Sequence, residues 1–377
     1  MRYYFDYNAT CPMLKVALDA LCETAKHASG NPSSMHADGR SARRALDDAR
    51  DVIAKYLNAE PSSLIFTSGG TEANNMAIFG VLAEAKKGNV VVSAIEHPSV
   101  LQTIQYWSTH FGHTLKTIRP DRQGLIDVDK FSAALDEDTV FASMMWANNE
   151  SGVIQPVHEM VKACRQRHIL CLVDAVQALG KIDIDVKALD ADFVSFSAHK
   201  IGGAKGVGAL AIRRGSPLKP WLLGGGQERG RRSGTESVPA IAAFAAALGV
   251  INYARCSAVR DDFEAYLKSK MPDVTIHGNQ IERVGNTSMF TVPGMDGETL
   301  LMQLDLAGFS VASGSACSSG KREPSHVLKA MGVDDRAARS SLRVSFGLEH
   351  SKKDAHALVD ELIRIRALLR KMAGRTS

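Results

Sequence analysis

The sequence predicts an α/β protein with a large, mostly parallel β-sheet covered by helices and a second, smaller α+β domain. From about Asn58 to Arg213, short apolar runs alternate with longer amphipathic segments. This alternation is typical of βαβ units, in which crossover helices join parallel strands. After about Cys256 the alternation stops. The chain has 377 residues, 45% of them hydrophobic, which is enough for a large core and longer than one domain usually is.

The apolar runs predict at least six strands, because each is short, apolar and suited to burial on both faces of a sheet. In chain order the runs are SLIFTS, NVVVSAI, TLKTIRP, VFASMMWA, ILCLVDA, DFVSFSA and GALAIRR. The segments TEANNMAIFGVLAEAKK and PSVLQTIQYWSTHF predict covering helices. The alanine-rich run from Ala240, AIAAFAAALGVINYA, is too short to span a bilayer and predicts a buried helix.

The rest of the chain predicts the smaller domain. It contains the mixed stretch NTSMFTVPGMDGETLLMQLDLAGFSVASG and a final amphipathic helix, KKDAHALVDELIRIRALLRKM. We therefore predict a large domain at residues 16–256 and a small domain that combines residues 1–15 with 257–377. The sequence contains no internal repeat.

The charge distribution and the N-terminal sequence indicate neither nucleic acid nor a membrane as a partner. The formal net charge of +4 is spread along the chain, without the basic block that nucleic acid or a membrane surface requires. The start, MRYYFDYNAT, lacks the basic-then-apolar order of a signal peptide. We therefore expect a soluble, cytoplasmic protein that contacts neither nucleic acid nor membrane directly.

The six cysteines show no paired spacing, so we expect neither a disulfide framework nor a metal site. Only Cys11 and Cys317 lie in predicted loops. Cys317 stands in SGSACSSG, among small residues that do not suit a packing thiol. This stretch is not a phosphate loop, because five residues separate Gly314 from Gly320 and Arg322 stands where a hydroxyl should bind magnesium.

Polar residues follow five of the predicted strands, where open α/β sheets bind their ligands. In chain order they are Gly69, Gly70 and Thr71; His97; Asn148 and Asn149; Asp174 and Gln177; and Ser197, His199 and Lys200. Each residue alone also fits a turn, a helix cap or a solvated charge. Together they predict one ligand site at one edge of the sheet.

The chemistry of this set matches pyridoxal 5'-phosphate. Gly69, Gly70 and Thr71 at a helix start offer backbone N–H groups to a phosphate, with Ser197 and His199 as further donors. Asp174 can keep a pyridine nitrogen protonated, so that the ring becomes an electron sink. Gln177 can donate to the ring hydroxyl, His97 can stack on the ring, and Lys200 can form the Schiff base. A dinucleotide site is disfavoured, because IGGAKGVG has its glycines in the reverse of the required order.

Over nearly its whole length the chain resembles the NifS/IscS-like cysteine desulfurases, which are fold-type-I pyridoxal-phosphate enzymes. The resemblance is carried, in the family's order, by FDYNATCP, GNPSSMHADGR, FTSGGTEANN, EHPSV, WANNESGVIQP, VDAVQALGK, SFSAHKIGGAKGVGAL, GGGQERGRRSGTE, SGSACSSG, EPSHVLKAMG and SLRVSFG. Several such motifs in the same order indicate the family strongly, whereas any one motif alone would indicate it only weakly.

The resemblance implies a role for each matching residue. Lys200 is the Schiff-base lysine, Asp174 contacts the pyridine nitrogen, Gln177 contacts the ring hydroxyl, and His97 stacks on the ring and moves protons. The phosphate ligands it implies are Gly70, Thr71, Ser197, His199 and, from the other subunit of a homodimer, Thr235. It also implies that Asn31, Asn149 and Arg343 hold the substrate carboxylate, for which arginine offers a bidentate partner.

On this reading L-cysteine becomes L-alanine and its sulfur passes to Cys317 as a persulfide. An ordinary thiol has a pKa of about 8.5, so a local group must deprotonate Cys317. His97 and the substrate amine are the two candidates. Cys11 stands where relatives commonly have threonine; a passive replacement is favoured over a second acceptor thiol.

The sulfur acceptor stays open between an iron–sulfur scaffold, a tRNA-thiolation protein and another biosynthetic partner. The sequence shows no extended C-terminal tail of the kind by which some relatives dock a scaffold, which weighs against delivery to a scaffold protein. The alternatives to a desulfurase are a selenocysteine lyase or an aminotransferase on the same fold, in which Cys317 is incidental, and a non-catalytic sulfur-relay protein. The presence of Lys200, the expected Schiff-base lysine, argues against a non-catalytic relay protein.

Overall fold

The seven apolar runs between Asn58 and Arg213 form one seven-stranded sheet in the computed structural model, which describes residues 2–313, 324–372 and 374. In chain order the strands of the described residues are β1 (Tyr3–Tyr4), β2 (Leu64–Thr67), β3 (Asn89–Ser93), β4 (Thr114–Ile118), β5 (Thr139–Met145), β6 (Leu170–Asp174), β7 (Phe193–Ser197), β8 (Gly208–Ile212), β9 (Thr275–Ile276), β10 (Thr287–Thr291), β11 (Phe309–Ser310) and β12 (Ser341–Ser345).

The large sheet has the strand order β2-β8-β7-β6-β5-β3-β4. Strands β3 to β7 pair in parallel, and β8 is antiparallel to both of its neighbours, β2 and β7. Six strands therefore point the same way, which confirms the mostly parallel sheet. One detail differs from expectation: β4 was predicted to be buried on both faces, but it is an edge strand with two exposed residues.

The α-helices lie between and around these strands. They are α1 (Lys15–His27), α2 (Ala37–Tyr56), α3 (Gly70–Leu82), α4 (Pro98–Phe111), α5 (Val128–Ala134), α6 (Val157–Gln166), α7 (Val186–Leu189), α8 (Val238–Leu248), α9 (Ser257–Lys270), α10 (Gly297–Leu306), α11 (His326–Ala330), α12 (Asp335–Arg339) and α13 (Lys352–Met372). The run beginning at Ala240 is the core of α8, whose side chains are mostly buried, and α13 matches the predicted final helix.

The two faces of the large sheet bury different hydrophobic clusters. Successive strand residues point to opposite faces, so Leu64 and Phe66 of β2 join one cluster while Ile65 joins the other. Helices α3 and α4 supply much of the second cluster, and α1, α2 and α8 pack on the first face. Both faces are covered, which explains why the strand sequences are continuously apolar.

The remaining strands form two small sheets. Strands β12, β10 and β9 make a three-stranded antiparallel sheet, and β1 pairs in parallel with β11. Asp6 forms a further bridge with Ser345 of β12. The first residues of the chain therefore lie against its C-terminal third, while the domain boundaries at residues 15 and 256 stay a prediction.

By length and composition, no single helix in the described part of the chain could cross a bilayer. One bent pair, Val238–Leu248 with Tyr253–Lys270, meets that criterion only when the two are taken together.

Candidate active site

One cavity of about 1160 Å³ lies at the edge of the large sheet where its parallel strands end. Of the predicted site residues it is lined by Gly70, Thr71, His97, Asn149, Asp174, Gln177, Ser197, His199, Lys200 and Arg343. The N-terminal segment closes another side of the cavity with Asp6, Asn8, Ala9 and Thr10. The five strand ends therefore deliver their polar groups to one place, because these strands run in the same direction.

Three residues singled out from the sequence, Asn31, Asn148 and Thr235, lie outside the cavity lining. Asn31 and Thr235 are exposed and do not line the cavity, and the Asn31 side chain accepts a hydrogen bond from the Ser33 backbone N–H at 2.8 Å. The cavity does not test Thr235, which is expected to act in the other subunit. Cys317 lies outside the described residues. The described positions on either side of its segment, Ser313 and Pro324, both line the cavity.

One end of the cavity is built to hold an anion. Helix α3 begins there at Gly70, and its N-cap Gly69 provides no side chain to the first backbone N–H groups. Gly69 has a φ of 155°, which favours glycine. The Ser197 hydroxyl is buried beside this turn without a hydrogen-bond partner among the described residues. A helix N-terminus with an unpartnered hydroxyl fits a phosphate group.

Asp174 supplies a buried carboxylate at the end of β6. It is 4% exposed, and its oxygens accept from the Val176 N–H at 2.9 Å and from Asn74 Nδ2 at 2.8 Å. No ion pair joins Asp174 to a cationic side chain among the described residues. A protonated pyridine nitrogen would supply a charge partner for this carboxylate.

A hydrogen-bond chain connects Asp174 to His97. Asn74 Nδ2 donates to Asp174 and also to Ser99 Oγ, at 2.9 Å. Ser99 Oγ lies 2.8 Å from His97 Nδ1, which also accepts from the Ser99 backbone N–H at 3.1 Å. Since Nδ1 is an acceptor, the neutral ring carries its proton on Nε2. Sequence reasoning did not single out Asn74 or Ser99, although both stand inside the motifs FTSGGTEANN and EHPSV.

Burial is the main cause that lowers the His97 pKa below 6.5. The nearby Asp174 carboxylate raises this pKa, whereas Lys200 and His326 lower it further. The neutral form of His97 therefore predominates at neutral pH.

Lys200 lies in the short turn Ala198–Lys200 that follows β7. Its ammonium donates to the carbonyl oxygens of Asn8 and Ala9, both at 2.8 Å. Burial, followed by the positive charge of Arg343, lowers the pKa of Lys200 from 10.5 to about 8. A lysine with such a pKa has a reactive neutral fraction near neutral pH.

His199 lies on the cavity wall beside Lys200. Its Nδ1 lies 3.1 Å from Thr10 Oγ1. Burial, together with the charges of Lys200 and Lys205, lowers its pKa to about 4. His199 is therefore neutral, and one ring N–H can serve as a donor.

Arg343 enters the cavity from β12 on the opposite side. Its guanidinium donates to Asp6 Oδ1 at 2.7 Å and to the Asn149 carbonyl at 2.9 Å. Its Nε is buried without a partner among the described residues. The guanidinium thus keeps one unused N–H donor among the described residues, and Arg343 lines the cavity.

Cys11 is buried beneath this site and does not line it. It is 4% exposed and its Sγ lies 2.7 Å from the Tyr253 hydroxyl. Burial raises the pKa of its thiol to about 11. These surroundings fit the packing role that the sequence favours over a second acceptor thiol.

The fold and this cavity define a fold-type-I pyridoxal-phosphate enzyme. The chain belongs to the class-V aminotransferase family, which matches residues 3–358. This family depends on pyridoxal 5'-phosphate. The residues present fit that group: an uncapped helix start and the unpartnered Ser197 hydroxyl suit its phosphate, and the buried Asp174 suits its ring nitrogen.

The chain is similar to curated cysteine desulfurases along its whole length. It is 40% identical to a cysteine desulfurase IscS of Dictyoglomus turgidum, with 98% of this chain and 96% of that one covered. It is 38% identical to a cysteine desulfurase of Cereibacter sphaeroides, with 97% and 94% covered.

Among solved structures, a NifS-like protein superposes with a TM-score of 0.91 at 34% identity, with 98% of this chain and 100% of the other covered. A structure of SspA in complex with cysteine has a TM-score of 0.83 at 31% identity, with 92% and 99% covered.

Proposed function

We propose that this protein is a pyridoxal-phosphate-dependent cysteine desulfurase, which converts L-cysteine to L-alanine and passes the sulfur to an acceptor protein. The observation that carries the proposal is that Lys200, Asp174, His97 and Arg343 line one and the same cavity. Relatives named cysteine desulfurase and a related structure that contains cysteine support the same substrate.

In this proposal the strand ends hold the cofactor. Gly70, Thr71, Ser197 and His199 bind the phosphate, and Thr235 joins them from the second subunit of a homodimer. Asp174 keeps the ring nitrogen protonated, and Gln177 donates to the ring hydroxyl. His97 packs on the ring face, and Lys200 forms the covalent link. When bound, pyridoxal phosphate supplies an electron sink for the electron pair left on the substrate Cα.

The substrate carboxylate is assigned to Arg343, Asn149 and Asn31. Arg343 offers the strongest support, because its Nε has no partner among the described residues while its other nitrogens are already oriented by Asp6 and the Asn149 carbonyl. Replacing a bidentate arginine by lysine removes the fork geometry and keeps the charge. The proposal therefore assigns to Arg343 the task of orienting the substrate by holding its carboxylate.

The side chains of this chain then perform proton and sulfur transfer. Lys200, as the free amine, takes the Cα proton, and its pKa of about 8 suits that task. The Cys317 thiolate attacks the substrate sulfur, so that an S–S bond forms as the Cβ–S bond breaks. The released electron pair is protonated at carbon, which yields alanine, and Cys317 keeps the sulfur as a persulfide.

The persulfide then passes to an acceptor protein, either a scaffold for iron–sulfur clusters or a protein of another sulfur-transfer pathway such as tRNA thiolation. A persulfide carrier has to avoid oxidation, which favours a reducing compartment and therefore the cytoplasm.

The test compares wild type with Cys317→Ala, using Cys11→Ser as the matched control for losing a thiol. Each reconstituted protein is mixed with L-cysteine, and alanine, sulfide and protein-bound persulfide are followed together. We expect wild type and Cys11→Ser to form all three, whereas Cys317→Ala forms no persulfide and loses turnover by about 100-fold or more.

Other outcomes identify the alternatives. Equal alanine formation by wild type and Cys317→Ala would contradict the desulfurase. Transamination of a 2-oxo acid, or lysis of L-selenocysteine alone, that survives loss of Cys317 would indicate one of the other enzyme types. A protein that takes up no pyridoxal phosphate would indicate the non-catalytic relay.

The homodimer is tested separately by sedimentation of the reconstituted protein. We expect a dimer, and we expect Thr235→Ala to weaken pyridoxal phosphate binding without changing the sedimentation coefficient. A monomer with full cofactor affinity would contradict the role of Thr235 in the second subunit.

A further inference from the structure

A second lysine, Lys181, lies behind the cavity wall and does not line it. It is 3% exposed, and its Nζ donates to Asn8 Oδ1 at 2.7 Å and to Gln177 Oε1 at 2.5 Å. Burying an amine costs free energy unless its hydrogens find acceptors. The proposed reaction has no task for Lys181, so its contacts require another explanation.

The lysine and the Asn8 carbonyl together determine which way the Gln177 amide points. An ammonium group donates hydrogen bonds and accepts none, so Gln177 has to turn its Oε1 towards Lys181. Its Nε2 then faces the other way and donates one hydrogen to the Asn8 carbonyl at 2.9 Å. The second Nε2 hydrogen has no acceptor among the described residues, and Gln177 lines the cavity.

The same lysine orients Asn8. Asn8 Oδ1 accepts from Lys181 at 2.7 Å and more weakly from Asn286 Nδ2 at 3.3 Å, so that Asn8 Nδ2 donates to the Asn149 carbonyl at 3.1 Å and to Thr287 Oγ1 at 2.8 Å. The Asn8 carbonyl accepts from both Gln177 Nε2 and Lys200 Nζ. Lys181 therefore supports a small network that contacts both sides of the cavity.

Loss of the charge on Lys181 would not reverse this arrangement. Burial, followed by the charges of Lys200 and Arg343, lowers its pKa well below 10.5. The neutral amine still has two hydrogens, one for each carbonyl oxygen. The opposite ends of both amides are already used as donors, so flipping either amide would break these bonds as well.

We propose that Lys181 is a positioning residue, which holds the Gln177 amide so that an N–H group, and not the carbonyl oxygen, faces the ring oxygen of bound pyridoxal phosphate. This inference rests on the proposed function, which places the ring hydroxyl at Gln177. A donor at that position stabilises the ionised ring oxygen and lowers the proton affinity of the conjugated ring system. Lys181 thereby acts through Gln177 without touching the cofactor.

The experiment titrates the visible absorption of the pyridoxal-phosphate-loaded protein against pH. In Lys181→Met the Gln177 amide loses the hydrogen bond at its Oε1 and keeps only the one from Nε2 to the Asn8 carbonyl, so we expect the midpoint of the absorption change to rise by about one pH unit. Gln177→Leu, which removes the donor itself, is expected to raise it at least as much. Lys116→Met is the matched control, because Lys116 lies on edge strand β4, pairs with Asp136 and does not line the cavity.

The double variant Lys181→Met/Gln177→Leu tests whether the lysine acts through the amide. If it does, the double variant has the midpoint of Gln177→Leu alone, since the two changes share one effect. The titratable groups that interact electrostatically with Lys181 in the described structure, Lys200, Arg343, Cys11 and Cys256, are unchanged in all variants.

Several results would overturn the inference. A lower melting temperature in Lys181→Met with an unchanged midpoint would mean that the lysine only stabilises the fold. A further shift in the double variant would mean that it acts independently of Gln177. If Lys181→Met does not fold, Lys181→Leu, which also lacks a donor, is titrated instead, and an unchanged midpoint there also contradicts the proposal. A wild-type protein that binds no cofactor or forms no alanine would instead contradict the proposed function.

Discussion

Lys200 is held by backbone carbonyls in a cavity where its proton affinity is reduced. Its ammonium has only the carbonyls of Asn8 and Ala9 as hydrogen-bond acceptors among the described residues, and no carboxylate forms an ion pair with it. Arg343 adds a repelling positive charge. Desolvation and a like charge both disfavour the protonated amine, so a larger fraction of this lysine is neutral near pH 7 to 8 than of an exposed lysine.

The first prediction is the pH dependence of cofactor uptake. The neutral amine is the nucleophile, so uptake rises as Lys200 loses its proton, and this happens near pH 8 instead of near 10.5. The rate at which the apoprotein gains visible absorption with pyridoxal phosphate should therefore rise between pH 7 and 9 and then level off. N-acetyl-lysine methylamide, measured in parallel, should keep rising beyond pH 10. A protein that followed this free amine would contradict the assignment.

Asn74 and Ser99 are recognised as part of the site only from the distances that join their side chains to Asp174 and His97. They join Asp174 to His97 through three hydrogen bonds of 2.8 to 2.9 Å. Polar residues on a helix and at a helix start have many ordinary roles, such as capping, and Ser99 also stands next to a proline. The sequence therefore contains no feature that separates this network from simple caps.

At the scale of elements, one buried ion pair joins α2 to the loop after β8. Arg50 makes a bidentate contact with Glu228, at 2.6 and 3.1 Å, and both side chains are at most 4% exposed. Glu228 and the following Arg229 have φ values of 45° and 59°, which non-glycine residues rarely adopt. The ion pair compensates for this strain and sets the start of the loop that leads to Thr235.

The second prediction follows from that ion pair. Arg50→Met leaves Glu228 as a buried, uncompensated charge, so the free energy of unfolding should fall by about 3 to 5 kcal/mol in urea denaturation. Arg50→Met combined with Glu228→Gln should be less destabilised than Arg50→Met alone. The exposed pair Arg43–Asp47 is the control, and Arg43→Met should cost less than about 1 kcal/mol. Equal losses for both arginines would contradict the prediction.

Another close contact lies between two elements at the anion-binding end of the cavity. Gly208 at the start of β8 packs directly on the backbone of Gly69. A Cβ at position 208 would lie 2.7 Å from Gly69 Cα and 2.6 Å from the Phe196 carbonyl oxygen. Backbone atoms on both sides have no room to move aside, so the glycine keeps the turn before α3 in place.

The third prediction tests that contact. Gly208→Ala should displace the turn at Gly69 and raise the dissociation constant for pyridoxal phosphate by about tenfold or more, since about 1.4 kcal/mol suffices for that. Gly249→Ala is the matched control, because its nearest neighbour would be 3.5 Å from the new Cβ. Fluorescence titration of both apoproteins gives the comparison. Unchanged affinity in Gly208→Ala would show that the turn does not hold the phosphate.

At the scale of the whole molecule, the cavity joins three separate parts of the chain. The segment from Asp6 to Thr10 forms one wall, the ends of the parallel strands form another, and Arg343 of β12 projects from a third. Asn8 connects them, because it contacts Lys181, Asn149 and Thr287. A ligand in this cavity contacts elements that only the folded chain brings together.

The fourth prediction is that the cofactor stabilises the whole fold. A ligand that binds only the native state stabilises it by about 2.7 kcal/mol at 100 times its dissociation constant. Removing pyridoxal phosphate with hydroxylamine should lower the melting temperature by several degrees, and adding it back should restore the value. Lys200→Ala, which lacks the covalent link, should regain less. Identical melting curves with and without the cofactor would contradict this expectation.

The sequence by itself determined the fold class and most of the polar set at the sheet edge. Continuous apolar runs identify strands buried on both faces, and the polar residues that follow them, such as Asp174 and Lys200, reach one edge because parallel strands end together. This inference needs only the direction of the strands. It does not need the distances between side chains.

Only the tertiary structure decided which partners these residues have. It places β4 at an exposed edge, pairs Arg343 with Asp6, and joins Lys181 to Asn8 and Gln177, although Asn8 and Lys181 are 173 residues apart. Hydrogen bonds depend on tenths of an ångström and on which atom of an amide faces which neighbour. Residue patterns report burial and periodicity along the chain, whereas such contacts form between distant segments only once the chain has folded.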